Sequence, residues 1–414
     1  MIIKLIIRQS YSPIDEVGIY FIYFKTMLYE QLPLPPPGST VVVGLSGGVD
    51  STLTALLLKQ KGCKVIGVTM SVWDGHIPAE KTQMAFHDAC YSPDEKENIE
   101  DCKKFCTEND IEYKVIDVSK EYNHFVLDYF TDEYRNGKTP NPCIRCNRFI
   151  KFGALLEGIK KLNIDYDYFC TGHYAKIVRP VEGLWKTGKK PCMIACASDN
   201  SKDQTYFLCR VPSDVLEKVR FPLSNIRKTE VIELAKKAEL SAADRKESQD
   251  FIDIKYIDSL FSDKPSVPGN FVNTQGKIIG THRGIEHYTI GQRRGLGVSG
   301  PVPYYVKSID AEKNEIVLAE KNELNSTSLI ADDFVWPADV EPTEPFEALV
   351  KIRLRSKTTM AVIEKYNPPP EDKTQYKGQA WKVSFDGEQY AVTPGQSVVL
   401  YKDDVIIGGG IIVR

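Results

Sequence analysis

Val41-Val42-Val43-Gly44-Leu45-Ser46-Gly47-Gly48-Val49-Asp50-Ser51 decides the fold of this chain. Three β-branched residues run into a glycine-rich turn, and Thr52-Leu53-Thr54-Ala55-Leu56-Leu57-Leu58 follows with helical character. A buried strand, a tight loop and a helix start in direct succession make an anion cradle. The loop offers unpaired backbone N–H groups, and the helix adds the positive end of its dipole. Gly44, Gly47 and Gly48 let an anion approach the backbone without side-chain obstruction. Ser46 and Ser51 can donate hydroxyls to phosphate oxygens, while Asp50 can hold Mg²⁺ or cap the helix.

The loop has no Gly-Lys-Ser/Thr and no Gly-x-Gly-x-x-Gly, so it is neither a Walker A loop nor a dinucleotide fingerprint. Ser-Gly-Gly alone would be an ordinary tight turn. The whole string from Ser46 to Ser51, set between strand and helix, resembles the PP-loop of the ATP pyrophosphatases. That resemblance implies cleavage of ATP to AMP and pyrophosphate with adenylation of a substrate.

Working outward, Lys64–Met70 reads as the next buried strand, Tyr113–Val118 and Tyr168–Thr171 read as further strands, and Ile99–Asn109 has helical periodicity. Alternation of this kind predicts a doubly wound parallel α/β sheet with nucleotide at the carboxyl ends of its strands. After about residue 253 the pattern turns to short strands punctuated by glycine. The last stretch, with Ala348–Leu354, Trp381–Phe385, Ser397–Tyr401 and Ile406–Ile412, suits a small closed β-barrel. The expected division is an extension over 1–38, an ATP-binding catalytic domain over 39–252, a central β-rich domain over 253–327 and a barrel that meets RNA over 328–414.

With 414 residues, 42% hydrophobic and 26% charged, the chain has the make-up of a globular protein of two or three domains. A net charge of −3 gives no general attraction to nucleic acid, so a polyanion must meet a local basic patch. Arg145, Arg148 and Lys151 form one such cluster; Arg293-Arg294 and Lys351, Arg353, Arg355 and Lys357 form others. Each taken alone also reads as a solvated face. Ten cysteines in so long a chain are no small disulfide framework, and their clustering points to a reducing compartment with thiol or metal chemistry. The apolar runs near Met1 and Gly18 fall short of the ~18 residues of a membrane span. They lack the pattern of a cleaved signal or transit peptide, which leaves an extension or a start at Met27. A cytoplasmic protein is expected, with no membrane partner.

The second chemical centre is Asn141-Pro142-Cys143-Ile144-Arg145-Cys146-Asn147. Thiols at Cys-x-x-Cys spacing meet across one turn, where they can form a disulfide, chelate a metal or carry a persulfide. Neighbouring Arg145, Arg148 and Lys151 are expected to favour the thiolate. Half of a zinc site is the plainer reading, but no second Cys-x-x-Cys follows, and Cys102/Cys106 have looser spacing.

From Ser39 to Arg414 the chain resembles the tRNA-specific 2-thiouridylases of bacteria and mitochondria. The resemblance rests on the 44–51 loop, Met70, the 141–147 cysteine loop, Thr171-Gly172-His173-Tyr174 and Ser201–Phe207. It continues through Tyr288–Gly297, Val392–Gln396 and Gly408–Ile412. It implies that Gly44, Leu45, Ser46, Gly47, Gly48, Val49, Asp50, Ser51, Met70 and Gly172 bind ATP, with Mg²⁺. It places Asn141, Pro142 and Cys143 at the target base of an anticodon loop and makes Cys146 the nucleophile. His173, Lys202, Asp203, Gln204, Arg353, Leu354 and Gln396 fall at tRNA-contact positions, although a lone histidine after a strand is commonly structural. A monomer served by a sulfur-carrier protein or a cysteine desulfurase is implied.

One departure matters. The family's second catalytic cysteine falls at Ile252 of Glu247-Ser248-Gln249-Asp250-Phe251-Ile252, and isoleucine carries no sulfur. Cys143 and Cys146 then serve either as persulfide and resolving thiols or as ligands of a [4Fe-4S] cluster, the reading slightly preferred here, with Cys90 ahead of Cys102 and Cys106 as the third ligand. Two rival functions stay open: a PP-loop ligase or amidotransferase acting on a small molecule, and a tRNA-binding protein without catalysis.

Overall fold

The computed structural model describes residues 29–75, 89–184, 187–244, 250–252 and 254–414. Its centre is a parallel sheet in the order Glu112–Asp117, Lys64–Ser71, Thr40–Gly44, Tyr168–Cys170, Val219–Arg220. The middle strand is the valine run, fully buried because helices cover both faces. Val42 packs with Ile66 and Val68 against Ile150, Leu155 and Ile159 on one face. Val41 and Val43 pack on the other with Leu58, Cys102, Phe105 and Cys106. Chain order runs from the middle strand to one edge, then resumes on its other side. That switch opens a crevice at the carboxyl end of Thr40–Gly44, as expected of a doubly wound sheet.

Antiparallel strands Val405–Ile412, Asn325–Val335, Ala380–Tyr390, Thr359–Tyr366, Phe346–Lys351 and Ser397–Lys402 close into a barrel, the last pairing with the first. Phe334, Trp336 and Trp381 cluster on one another around this barrel, with the first two rings stacked 4.9 Å apart. Between the two units lies a sheet of Ile278–His282, Gly269–Val272, Glu315–Ala319 and Tyr305–Asp310. The α/β unit, central β-rich unit and closing barrel expected from the sequence are all present.

The units are stitched together. Val405 of the barrel pairs with Ala195 of the hairpin Ala175–Pro180/Met193–Cys196, so the barrel sheet runs on into the α/β unit. Tyr29–Gln31 adds the hairpin's outer strand. Residues 29–38 are therefore part of the fold and not an appendage: Pro33 also accepts a 2.9 Å bond from Arg220 Nε, and Gly38 N–H donates to Gly62. The rest of the expected extension, with its two apolar runs, lies outside the described residues. Among the described residues no helix is long and apolar enough to cross a membrane.

Candidate active site

The phosphate loop is shaped by bonds among its own residues. Ser46 N–H donates to Ser51 Oγ at 3.1 Å, and the Ser51 hydroxyl lies 3.0 Å from the Gly48 carbonyl. Gly47 sits at φ +78°, which a side chain would strain. Gly48 precedes the helix Val49–Gln60 without a side-chain cap, leaving the helix end to its backbone N–H groups. Gly172 faces the loop so closely that a Cβ would stand 2.7 Å from the Asp50 carbonyl carbon and 2.9 Å from Ser51 N. Leu45 and Val49 are buried, so only their backbone can meet a ligand. Met70 is half-buried at the end of its strand. There Glu95 fixes the exit by accepting from Ser71 Oγ and Val72 N–H, each at 2.6 Å.

Asp50 does not cap the helix, whose cap position is Gly48. Its Oδ1 accepts from Lys228 Nζ at 2.7 Å and from the Tyr174 hydroxyl at 2.8 Å. Lys228 begins the helix Lys228–Lys237 and is nearly buried. Sequence reasoning missed it and Glu95, because both come from distant segments with no motif pointing to them.

The cysteines sit on a helix that opens with Asn141 as cap: its Oδ1 accepts from Ile144 N–H at 3.2 Å, and Pro142 takes the first helical position. The short α-helix Pro142–Arg145 passes into a π-helical stretch, Cys146–Ala154. Cys143 and Cys146 are three residues apart on this turn, both half-buried and neither in a disulfide. Burial pushes the Cys146 thiol up to about 11, with Lys151 pulling it down and Cys90 pushing it further up. The expected thiolate is thus not what the resting site favours. Arg145 lies over the rings of Tyr129 and Phe149, and Arg148 over Phe149; of the three cations, only Lys151 acts on this sulfur.

Cys90 and Ile252 are neighbours. Strand Asp250–Ile252 runs parallel to Ala89–Tyr91, with Ile252 opposite Tyr91. Ile252 is buried, whereas Cys90 is exposed. Buried Tyr122 feels all three thiols: its phenol is pushed far up by burial and then by the charges of Cys146, Cys90 and Cys143. Among the described residues no three His, Cys, Asp or Glu side chains are placed to hold a single metal ion. The matched residues Glu247 to Gln249 lie outside the described residues.

The positions expected to touch tRNA are engaged with their own chain. Gln396 Nε2 donates to the Thr139 carbonyl at 2.8 Å, Thr139 N–H donates to Pro394 at 2.8 Å, and Gly395 at φ +89° lies against Thr139. A barrel loop thus grips the approach to the cysteine helix. Arg353 donates to the Ala391 carbonyl and Thr393 Oγ1, and Leu354 packs against the main core. Gln204 Oε1 accepts from Tyr174 N–H, and Asp203 accepts from Thr205 and Ala197. Lys202 is half-buried, its N–H bonded to the Asp199 carbonyl. His173 lies between Phe152 and Phe221 with Nδ1 2.7 Å from Thr171 Oγ1, and burial drives its pKa well below the ordinary value. Three deeply buried polar atoms near the cysteines, Asn123 Oδ1, Asn147 Oδ1 and Thr139 Oγ1, lack a partner; they suit a polar guest.

Comparison with known proteins places this arrangement. A family model described as tRNA methyl transferase HUP domain matches residues 39–256. A tRNA methyl transferase PRC-barrel domain matches 257–320, and an aminomethyltransferase beta-barrel domain matches 326–412. The tRNA-specific 2-thiouridylase MnmA of Endomicrobium trichonymphae is 43% identical over 376 residues, covering 90% of this chain and 98% of that protein. The protein of the same name from Carboxydothermus hydrogenoformans is 40% identical over 380 residues, 90% of this chain and 97% of its own. That of Acetivibrio thermocellus is 39% identical over 378 residues, with coverage of 90% and 98%. With a PP-loop, a cysteine helix and a barrel matched over nearly the full length, the chain belongs to the tRNA-specific 2-thiouridylase family.

Proposed function

We propose that this enzyme converts the 2-carbonyl of a tRNA uridine to a 2-thiocarbonyl, consuming ATP and releasing AMP and pyrophosphate. The observation that carries the reading is that a phosphate loop and a half-buried Cys-x-x-Cys turn are both built against one parallel sheet. A uridine carbonyl is a poor electrophile, and its oxygen is a poor leaving group. Attack of that oxygen on the ATP α-phosphate expels pyrophosphate toward the N–H groups of 46–51 and turns the leaving group into AMP. Mg²⁺ enters with ATP as part of the substrate.

Sulfur arrives as a persulfide on Cys146. Its terminal sulfur attacks C2 and AMP departs, leaving Cys146 joined to the base through a disulfide. The Cys143 thiolate then attacks Cys146 Sγ, frees the thiocarbonyl and forms a Cys143–Cys146 disulfide that an external thiol reduces. Cys143 takes the resolving role because Ile252 cannot. Cys90 acts on the same buried Tyr122 as Cys146 and Cys143, which favours a second reading, an iron–sulfur site that these three thiols would hold.

The target is read as the wobble uridine, position 34, of tRNAs for Lys, Glu and Gln, turned out of a single-stranded loop at small unstacking cost. A cysteine desulfurase or sulfur carrier supplies the persulfide, and the enzyme acts as a cytoplasmic monomer with domains divided at 39–252, 253–327 and 328–414. The test is 2-thiouridine formation on unmodified tRNA, comparing metal-free protein plus a persulfide donor with iron–sulfide-reconstituted protein. We expect the metal-free form to thiolate, and Cys146→Ser to lose thiolation while keeping tRNA-dependent AMP release. Thiolation by the reconstituted form alone transfers the role to a cluster. AMP release that ignores tRNA points to a small-molecule ligase; binding of tRNA without AMP release points to a non-catalytic protein.

A further inference from the structure

Beside the cysteine turn lies a ladder of flat groups that the reaction above does not use. Phe125 and Phe149 stack in parallel, 4.8 Å apart and 7° from coplanar. The Arg145 guanidinium lies 4.3 Å from the Phe149 ring centre and 4.1 Å from that of Tyr129, and its Nε donates to the Phe125 carbonyl at 3.1 Å. At the other end His124 meets Phe125 edge-on at 4.8 Å, with 74% of its side chain exposed.

Both helices that build the ladder are unwound into π-helical turns there, Asn123–Asp128 in one and Cys146–Ala154 in the other. Such turns gather at functional sites. The charge balance is also unusual for a chain of net charge −3. Arg210 is paired with Asp333, while Arg145 and Arg148 make no direct ion pair among the described residues and feel Asp333 only at longer range. Two guanidiniums without a direct carboxylate partner suit phosphates, and a half-open aromatic stack suits the face of a base. Together they match single-stranded RNA, whose bases stack on aromatic and guanidinium planes. No hydrogen-bond readout accompanies the rings, so contact with any base is expected.

We propose that the His124–Phe125 end of this ladder is a stacking subsite for the unpaired base next to the target uridine, holding the loop open while the uridine enters the cysteine recess. The inference rests on the tRNA thiolation reading and extends it to a second nucleotide. Phe149 follows Cys146 by three residues on the same turn, so a base held here neighbours the one undergoing reaction.

The experiment uses the full-length enzyme and an anticodon stem-loop RNA carrying 2-aminopurine beside the target uridine. Binding to wild type should quench the probe by stacking. Phe125→Leu, which keeps an apolar side chain in place, should abolish the quench. It should also raise KM for tRNA about tenfold, with kcat and KM for ATP little changed. Phe125→Tyr should restore both. His124→Ala, on the exposed rung, should weaken the quench and raise KM by about threefold, and it carries the test if Phe125→Leu does not fold. An unaltered quench and KM in Phe125→Leu, or in His124→Ala where it stands in, overturns the subsite while leaving thiolation intact. Failure of the wild type to thiolate any tRNA overturns the functional reading instead, and the quench still decides whether a base stacks here.

Discussion

In the proposed reaction the phosphate loop and the cysteine helix act in turn, but they are held in place differently. The turn of the loop is closed by its own neighbours, Ser46 to Ser51 and Ser51 to Gly48, within five residues of sequence, and its Asp50 side chain is tied to Tyr174 and Lys228. The cysteine helix is fastened from afar: Gln396 and Pro394 of the barrel hold Thr139, and Phe125 of another helix holds Arg145. Short-range fastening makes the first a rigid cradle that folds with the sheet. Long-range fastening makes the second depend on the barrel being docked, so the step that delivers sulfur can be weakened without touching the step that activates the base.

The comparison breaks most visibly at Gly172, where the cradle touches the next strand. Gly172→Ala forces a Cβ within 2.7 Å of the Asp50 backbone, so at least one chain must shift. We expect tRNA-dependent AMP release to fall by about two orders of magnitude, as misplacement of a reacting group by an ångström does. Unaltered AMP release would show that the cradle is softer than its bonds suggest.

Lys228→Met comes next, removing the ammonium that faces Asp50. Breaking a buried ion pair costs about 3–5 kcal/mol, and partial exposure of Asp50 lowers this to about 2 kcal/mol. Thermal unfolding should register the loss, and pairing the change with Asp50→Asn should recover part of it. Strict additivity of the two would deny the coupling.

At the cysteine helix, the thiol raised to about 11 sets a pH dependence. Alkylation of Cys146 by iodoacetamide should climb about tenfold per pH unit between pH 7 and 10, because the thiolate fraction does so below the pKa. A plateau by pH 8 would mean that the site favours thiolate after all. Because the folded pKa lies above the unfolded one, burial of this thiol adds stability below the unfolded pKa of about 8.5. That stability is lost as pH rises through about 11. Lys151→Met should slow alkylation, since Lys151 is the one cation that lowers this pKa.

The smallest expected effect sharpens the contrast most. Gln396→Leu deletes one bond from the barrel to Thr139, worth about 1 kcal/mol. Sulfur transfer should slow several-fold while ATP affinity stays unchanged. A parallel loss of ATP affinity would remove the distinction between the two halves of the site.

The same contrast explains what was legible in the sequence. Val41–Val43 and Lys64–Met70 could be read because β-branched runs between turns announce buried parallel strands without reference to the rest of the chain, and the next strand, Glu112–Asp117, is a largely exposed edge. The loop could be read for the same local reason. Arg145 could not: it sits one residue from a thiol in sequence, yet its guanidinium faces Tyr129 and Phe149, a direction set by the π-helical turn and by a helix twenty residues away. Nor could Gln396, whose partner is 257 positions distant. Where Lys228 meets Asp50, 178 positions apart, no spacing rule applies.

The pairing of Val405 with Ala195 has an effect on how this protein tolerates truncation. A chain cut before residue 325 would keep the hairpin strand Met193–Cys196 but lose the barrel strand that covers it. The bare backbone edge left behind is a template for pairing with other chains. The ATP-binding unit is thus no detachable module. A nonsense mutation in the last quarter of the reading frame should yield insoluble aggregate, and a soluble catalytic fragment would have to be engineered with that edge blocked.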